Sequence, residues 1–457
     1  MNDTVSPARQ SAFDVLRRVA MEDALAGPLL AAPRQQPLSP ADQHLRQELT
    51  LGVLRRQGWL DFLIECYSGR RCAKIDPEVL IALRLGLYQL KVLTRIPAHA
   101  AINESVNLVK LARKRSAAPF VNAVLRAAQR ADDLPEKRLP ADPLDRLSIL
   151  ASVPRWILER WSHRWGLAET TALAIESSLT PDSTFRYNVA QAPREMTDRW
   201  LEEHGVRIRP SKLVPGAAVI EEGSLAPDSP PVEEGWVYFQ EESSQLAARL
   251  AVPIESVCRP IAVWDVCAAP GGKSTLIASL LPAGSQQVAT DRVESRLRLM
   301  KQLFGRQQLL ERISVAEVDL TGQSPFAPDC FDRILVDAPC SGLGTIQKHP
   351  EIKWRLTPER IAELASRQRA ILETAALSLR PGGLLTYAVC STEAEEGEDV
   401  VAWFRDRHRE YRDLTRERLL GIGLDPESFI TPTFGARTFP HRHHTEGFFV
   451  CVLWKRS

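Results

Sequence analysis

Apolar residues follow two different rhythms along this chain. From residue 7 to about 131 they recur at helical spacing, as in Ala12, Val15, Leu16 and Val19, then in Val79, Leu80, Leu83, Leu87 and Leu90. No strand-like alternation interrupts them, and breaks fall at Pro33 to Pro40 and at Ile96-Pro97-Ala98. The pattern predicts an all-α bundle of five or more helices over residues 1–131. A polar, proline-rich stretch at 132–143 reads as a linker. Pro154-Arg155-Trp156 opens a further helix through Trp165, and short apolar runs such as Val206-Arg207-Ile208-Arg209 and Ala217-Ala218-Val219-Ile220 predict strands. Residues 144–235 therefore read as a small α+β subdomain. From 236 to 457 short buried-strand runs alternate with helical stretches, which predicts a Rossmann-like α/β domain with a parallel sheet.

Length agrees with this division, because 457 residues exceed one ordinary core. No apolar run of about 18 residues occurs, so neither a membrane span nor a membrane partner is expected. The N-terminus lacks the basic and apolar regions of a signal peptide. Eight cysteines without regular spacing make no disulfide framework, and a reducing cytoplasm is expected. With no C-x-x-C pair, and no cysteines beside His441-Arg442-His443-His444, no metal is expected.

Charge adds a partner class. Residues 1–140 hold 21 Lys/Arg against 14 Asp/Glu, and no acidic residue stands between Glu104 and Asp132. Lys110, Arg113, Lys114, Arg115, Arg126 and Arg130 fall in that gap. Such clustering suits a phosphate backbone, although a basic helix face is often merely solvated.

The strand run Ile261 to Val266 leads into Cys267-Ala268-Ala269-Pro270-Gly271-Gly272-Lys273-Ser274-Thr275 and then an apolar helix. A strand, a small-residue turn and a helix N-terminus make a cradle for a polar ligand. Gly272-Lys273-Ser274 imitates the end of a P-loop, but Cys267 stands where that motif needs glycine, and G-x-G-x-x-G is absent. The next strands end in Asp291, suited to ribose hydroxyls, and Asp319, placed to reach a base edge. One such acid alone would read as a helix cap. Three strand ends in register suit adenosine without a polyphosphate.

Two further strand ends carry thiols. Cys340 follows Asp337-Ala338-Pro339, and Cys390 follows Tyr387-Ala388-Val389. Residues just past such ends line the ligand crevice of an open sheet, so both thiols are expected to face one pocket. Cys66, Cys72, Cys258, Cys330 and Cys451 sit in no comparable turn and read as small buried hydrophobes. A thiolate adding to carbon 6 of cytosine would make carbon 5 nucleophilic enough to take a methyl group, and a second thiol would help expel the first. Asp337 is suited to the ring's N3/N4 edge. Lys353 or Lys273 would favour the thiolate by positive charge.

These segments closely resemble the RNA cytosine-C5 methyltransferases of the Sun/NOL/NOP family. The resemblance is carried by Asp265 to Lys273, Asp337 to Gly342, His349-Pro350-Glu351-Ile352-Lys353-Trp354, Cys390-Ser391 and Gly447-Phe448-Phe449. The helical domain is similar to the RNA-binding NusB bundle, through Leu85 to Leu90 and Phe120 to Arg126. This domain order resembles family members that methylate one cytosine of bacterial 16S rRNA. The resemblance implies S-adenosylmethionine as methyl donor, held by Cys267 to Lys273, Asp291, Asp319 and Asp337. It also implies Cys390 as nucleophile and Cys340 as the residue of product release; the residues alone do not order the two thiols. Val389, Gln347 and Glu446 depart from the family pattern, and Gln347 would weaken a phosphate contact. The expected partner is 16S rRNA, naked or in an early small-subunit assembly, bound by a monomer through Lys110, Arg113, Lys114, Arg115, Arg126 and Lys353. The same chemistry on tRNA or another rRNA site, and a non-catalytic RNA-binding assembly factor, are the alternatives.

Overall fold

The computed structural model describes residues 4–22, 24–32, 37–131, 135–252 and 259–456; Cys258 and residues 132–134 of the expected linker lie outside them. The chain forms two compact units, 1–180 together with 346–355, and 181–345 together with 356–457.

The first unit is helical. Helices run Pro7–Met21, Ala26–Ala31, Pro40–Arg55, Gln57–Ser68, Pro77–Lys91, Ala98–Leu111, Ala118–Arg130, Pro143–Leu150 and Arg155–Glu176. Proline at the first position and an oxygen just before it start several of them: Ser39 accepts from Asp42 N at 3.2 Å, and Asp76 from Glu78 N at 3.1 Å. The apolar stripes meet in one core that includes Leu49, Leu60, Leu63, Leu83, Leu87 and Leu125, all without exposure. Gly52 lets two of these helices close up, since a Cβ there would fall 2.1 Å from the Tyr88 hydroxyl. The helix expected to stop at Trp165 resumes after a break at Gly166, whose φ of 81° leaves the helical region.

In the second unit four antiparallel strands, β1 (Ser183–Tyr187), β2 (Arg207–Pro210), β3 (Ala217–Glu222) and β4 (Val237–Phe239), are ordered β2-β3-β1-β4. With the helix Arg194–Glu203 they form the α+β subdomain. Residues 144–180 belong to the helical unit, and β4 lies beyond residue 235 because Val237 to Phe239 pair with β1.

The large sheet contains β5 (Ala262–Asp265), β6 (Gln286–Asp291), β7 (Ile313–Glu317), β8 (Phe331–Asp337), β9 (Leu379–Val389), β10 (Tyr411–Asp413), β11 (Ala436–Thr438) and β12 (Phe448–Lys455). Its order is β10-β12-β9-β8-β5-β6-β7, with β11 on β12. Strands β5 to β9 run parallel and β12 runs antiparallel to β9. Near-continuous burial of residues 334–336 in β8 and 383–389 in β9 explains the mostly apolar runs there. Strand order reverses between β6 and β8 on either side of β5, which makes the carboxyl end of β5 a topological switch point.

Candidate active site

The cradle sits at that switch point. The loop after β5 turns at Gly271, with φ 105° and a Cβ position only 2.8 Å from the Phe304 ring, and the helix Gly272–Leu280 begins there. Beneath it Asp265 is fully buried and accepts from Ser274 Oγ at 2.6 Å, while its Oδ1 has no partner among the described residues. Burial pushes its carboxyl up to about 7, against the pull of the Ser274 bond.

Cys267, Ala269, Asp291, Asp319, Asp337, Cys340 and Cys390 line one cleft of about 200 Å³. Ala268, Pro270, Gly271, Gly272 and Lys273 build the loop beside it. Asp291 Oδ1 accepts from Val293 N at 3.0 Å, and Asp319 Oδ1 from Thr321 N at 3.0 Å. Both acids thus serve a local turn and line the cleft at once. Apolar Val318, Leu320 and Ile371 complete the wall, together with Arg292, Arg296 and Arg367, which the sequence did not single out. The cleft thus brings together three carboxylates, one of them paired with Lys273, three arginines and an apolar wall.

The thiols meet in the same cleft. Cys340 Sγ and Cys390 Sγ lie 3.3 Å apart. The bond to Cys390 and then burial push the Cys340 thiol well above its ordinary range, and either sulfur can donate to the other. Lys273 Nζ donates to Asp337 Oδ2 at 2.7 Å; burial opposes its charge, and Asp337 more than restores it.

A carboxylate absent from the sequence expectations joins the two thiol loops. Glu396, fully buried, accepts from Ser341 N at 2.7 Å, Ser341 Oγ at 2.5 Å, Ser391 Oγ at 2.5 Å and Gln368 Nε2 at 3.1 Å. Ser341 follows Cys340 and Ser391 follows Cys390. Arg437 braces the second loop, pairing with Glu398 at 2.6 Å and donating to the Ser391 carbonyl at 2.6 Å. Gly344 donates to the Cys390 carbonyl at 3.1 Å and accepts from Gly447 N at 2.9 Å. The only sequence sign of this frame was the small and hydroxyl residues after each cysteine.

The basic residues divide. Lys110, Arg113 and Arg115 border one surface depression, Lys114 pairs with Asp76 at 2.7 Å, and Arg126 is exposed beside Gln129. Lys353 is corrected: it is fully buried in the helical unit, its Nζ donates to the Arg55 carbonyl at 3.0 Å, and burial brings it down to about 7. It therefore meets neither a phosphate nor the thiols. Gln347 is likewise buried, its Nε2 donating to the Glu176 carbonyl at 2.8 Å, so it offers no phosphate contact to weaken. Both lie in Ile346–Arg355, a segment that belongs to the helical unit although it sits inside the sequence of the α/β domain.

An eight-strand sheet of this order, with a cleft at its switch point, defines a methyltransferase fold preceded by helical and ferredoxin-like units. Three family models match accordingly: NusB over 6–130, a Methyltr_RsmF/B-like ferredoxin-like domain over 153–225, and 16S rRNA methyltransferase RsmB/F over 259–454. The chain is 34% identical to the probable ribosomal RNA small subunit methyltransferase B of Synechocystis, across 98% of this chain and 99% of that one. It is 32% identical to the Bacillus subtilis protein of the same name, again over 98% and 99%. The crystal structure of PH0851 superposes with TM-score 0.78 at 24% identity, covering 99% of this chain and 100% of that one, and shows the same fold. The chain belongs to the 16S rRNA methyltransferase RsmB/F family. Among the described residues no helix is long and apolar enough to cross a membrane, and no cluster of potential metal ligands occurs.

Proposed function

We propose that this protein transfers a methyl group from S-adenosylmethionine to carbon 5 of a cytosine in 16S rRNA through a covalent adduct on Cys390. The observation that carries the reading is the 3.3 Å approach of two thiols beside a carboxylate-lined cleft. Asp291 and Asp319 are suited to the donor's ribose and base, and the loop Cys267 to Lys273 to the rest of it. Bound S-adenosylmethionine supplies an electrophilic methyl group.

The chain's own residues do the remainder. The family resemblance gives Cys390 the attack on carbon 6, with the Cys340 sulfur 3.3 Å away as its partner. The Cys390 lone pair forms the Sγ–C6 bond and pushes ring electrons toward carbon 5 and N3. Asp337, steadied by Lys273, is suited to accept from the N4 amino group and so to fix the ring's edge against Cys390. For release, the carbon-5 proton leaves, its electron pair restores the C5–C6 double bond, and the C6–Sγ pair returns to Cys390. Cys340 is suited to take the carbon-5 proton on its sulfur while passing its own proton to the departing Cys390 sulfur 3.3 Å away. The target base must leave its stack to meet Cys390, so an unpaired loop is the natural substrate.

Incubation with labelled donor and either 16S rRNA or tRNA, followed by nucleoside analysis, tests the reading. The expected product is 5-methylcytidine in 16S rRNA alone. Label in tRNA alone, or on another base atom, would overturn the substrate or the chemistry respectively.

A further inference from the structure

A second cavity, of about 380 Å³, opens in the same unit between β1 and the helix Gly272–Leu280. Arg186, Arg194, Arg249 and Arg312 line it, and no Asp or Glu does. Arg186 is 4% exposed; its guanidinium donates to Gln240 Oε1 at 3.0 Å and Thr275 Oγ1 at 2.6 Å, both neutral acceptors. Arg249 donates to the Pro215 carbonyl at 2.6 Å, and its Nε is buried without a partner among the described residues. Burial lowers both, Arg186 to about 10 with Arg249 adding to the effect, and no carboxylate compensates either one. A buried guanidinium beside a half-buried one, with no counter-charge lining the cavity, is costly, and a guanidinium can only donate.

We infer that this cavity is a phosphate-group site, with Arg186 and Arg249 holding the anion and the exposed Arg194 and Arg312 drawing it in. A phosphate accepts several bonds at once in the geometry an arginine fork offers, and it supplies the missing negative charge. The source is a backbone phosphate of bound RNA, and that assignment alone rests on the reading above. The site lies apart from the thiol cleft, since the two share no lining residue.

The full chain is tested in two ways. First, its unfolding midpoint is compared in sodium phosphate and in sodium chloride of matched ionic strength, for wild type, Arg249→Gln and Arg249→Lys. Phosphate should raise the midpoint of wild type and Arg249→Lys beyond chloride and leave Arg249→Gln unmoved. Second, a single-stranded oligoribonucleotide is titrated at several salt concentrations. Arg249→Gln should bind it roughly tenfold more weakly, with the slope of log affinity against log salt shallower by about 0.7. A phosphate response lost in Arg249→Gln without any change in RNA affinity assigns the site to a free phosphate compound instead. The inference is overturned if phosphate and chloride act alike on wild type while Arg249→Gln binds RNA like wild type. It is also overturned if the phosphate response survives in Arg249→Gln, or if RNA affinity falls with an unchanged salt slope. None of these measurements requires methyl transfer, so a protein that makes no 5-methylcytidine yet passes them separates the two readings.

Discussion

Glu396 shows how much of a reactive site is held by residues that do not react. Its four hydrogen bonds tie the residues after both thiols to one buried carboxylate. Burial raises its carboxyl, while those bonds keep it from rising further. Glu396→Gln replaces acceptors by a donor group and is expected to loosen the Cys340–Cys390 approach. The rate at which an alkylating reagent labels Cys390 should then change its pH profile, while Glu396→Asp restores part of it. Asp265 gives a prediction about stability. Its folded-state value, about 7, exceeds the usual carboxylate value of about 3.9, so the native state binds the extra proton. Stability contributed by this group is present at low pH and is lost as pH rises from about 4 to 7. Asp265→Asn should remove that loss, read as a smaller decline in urea midpoint between pH 4 and 7. Neither residue was legible as functional in the sequence: Asp265 looked like the end of a strand, and Glu396 stood in an acidic run, Glu393-Ala394-Glu395-Glu396, indistinguishable from solvated surface.

At the scale of elements, the turns after β5, β8 and β9 were readable because small residues interrupt apolar runs at each strand end, with a proline after the first two. Their closing partner was not. β12 returns antiparallel beside β9, and Gly447 comes so close to Gly344 that a Cβ on the latter would lie 1.7 Å from the Gly447 carbonyl oxygen. Such a contact depends on a pairing across about a hundred residues, which local periodicity does not encode. Gly344→Ala must separate two backbones and should cost several kcal/mol, seen as a lower unfolding midpoint. The segment Ile346–Arg355 misled for a related reason. Lys353 in a basic, aromatic stretch suggested a phosphate contact, yet it closes on the last carbonyl of the helix Pro40–Arg55, where a cation suits the helix terminus. Lys353→Met is therefore expected to leave the salt dependence of RNA binding unchanged. Because burial lowers the lysine to about 7, the wild type should gain stability relative to this variant as pH rises from about 7 toward 10.

For the whole molecule, the order of helical, α+β and α/β parts follows from the switch in apolar spacing, while the unit boundaries do not. The helical unit runs on to residue 180 and takes in a segment from within the α/β sequence. The two units carry different chemistry, basic residues on the helical one and a thiol-bearing cleft on the other. Their separate roles meet in one claim, that Cys390 carries the RNA as a covalent adduct and Cys340 lets it go. The direct measurement is a denaturing gel of Cys340→Ala and Cys390→Ala incubated with methyl donor and radiolabelled 16S rRNA. A protein–RNA band that survives denaturation in Cys340→Ala and is absent in Cys390→Ala is the expected result. Methyl transfer by Cys390→Ala at the wild-type rate, with no trapped band in Cys340→Ala, would contradict it.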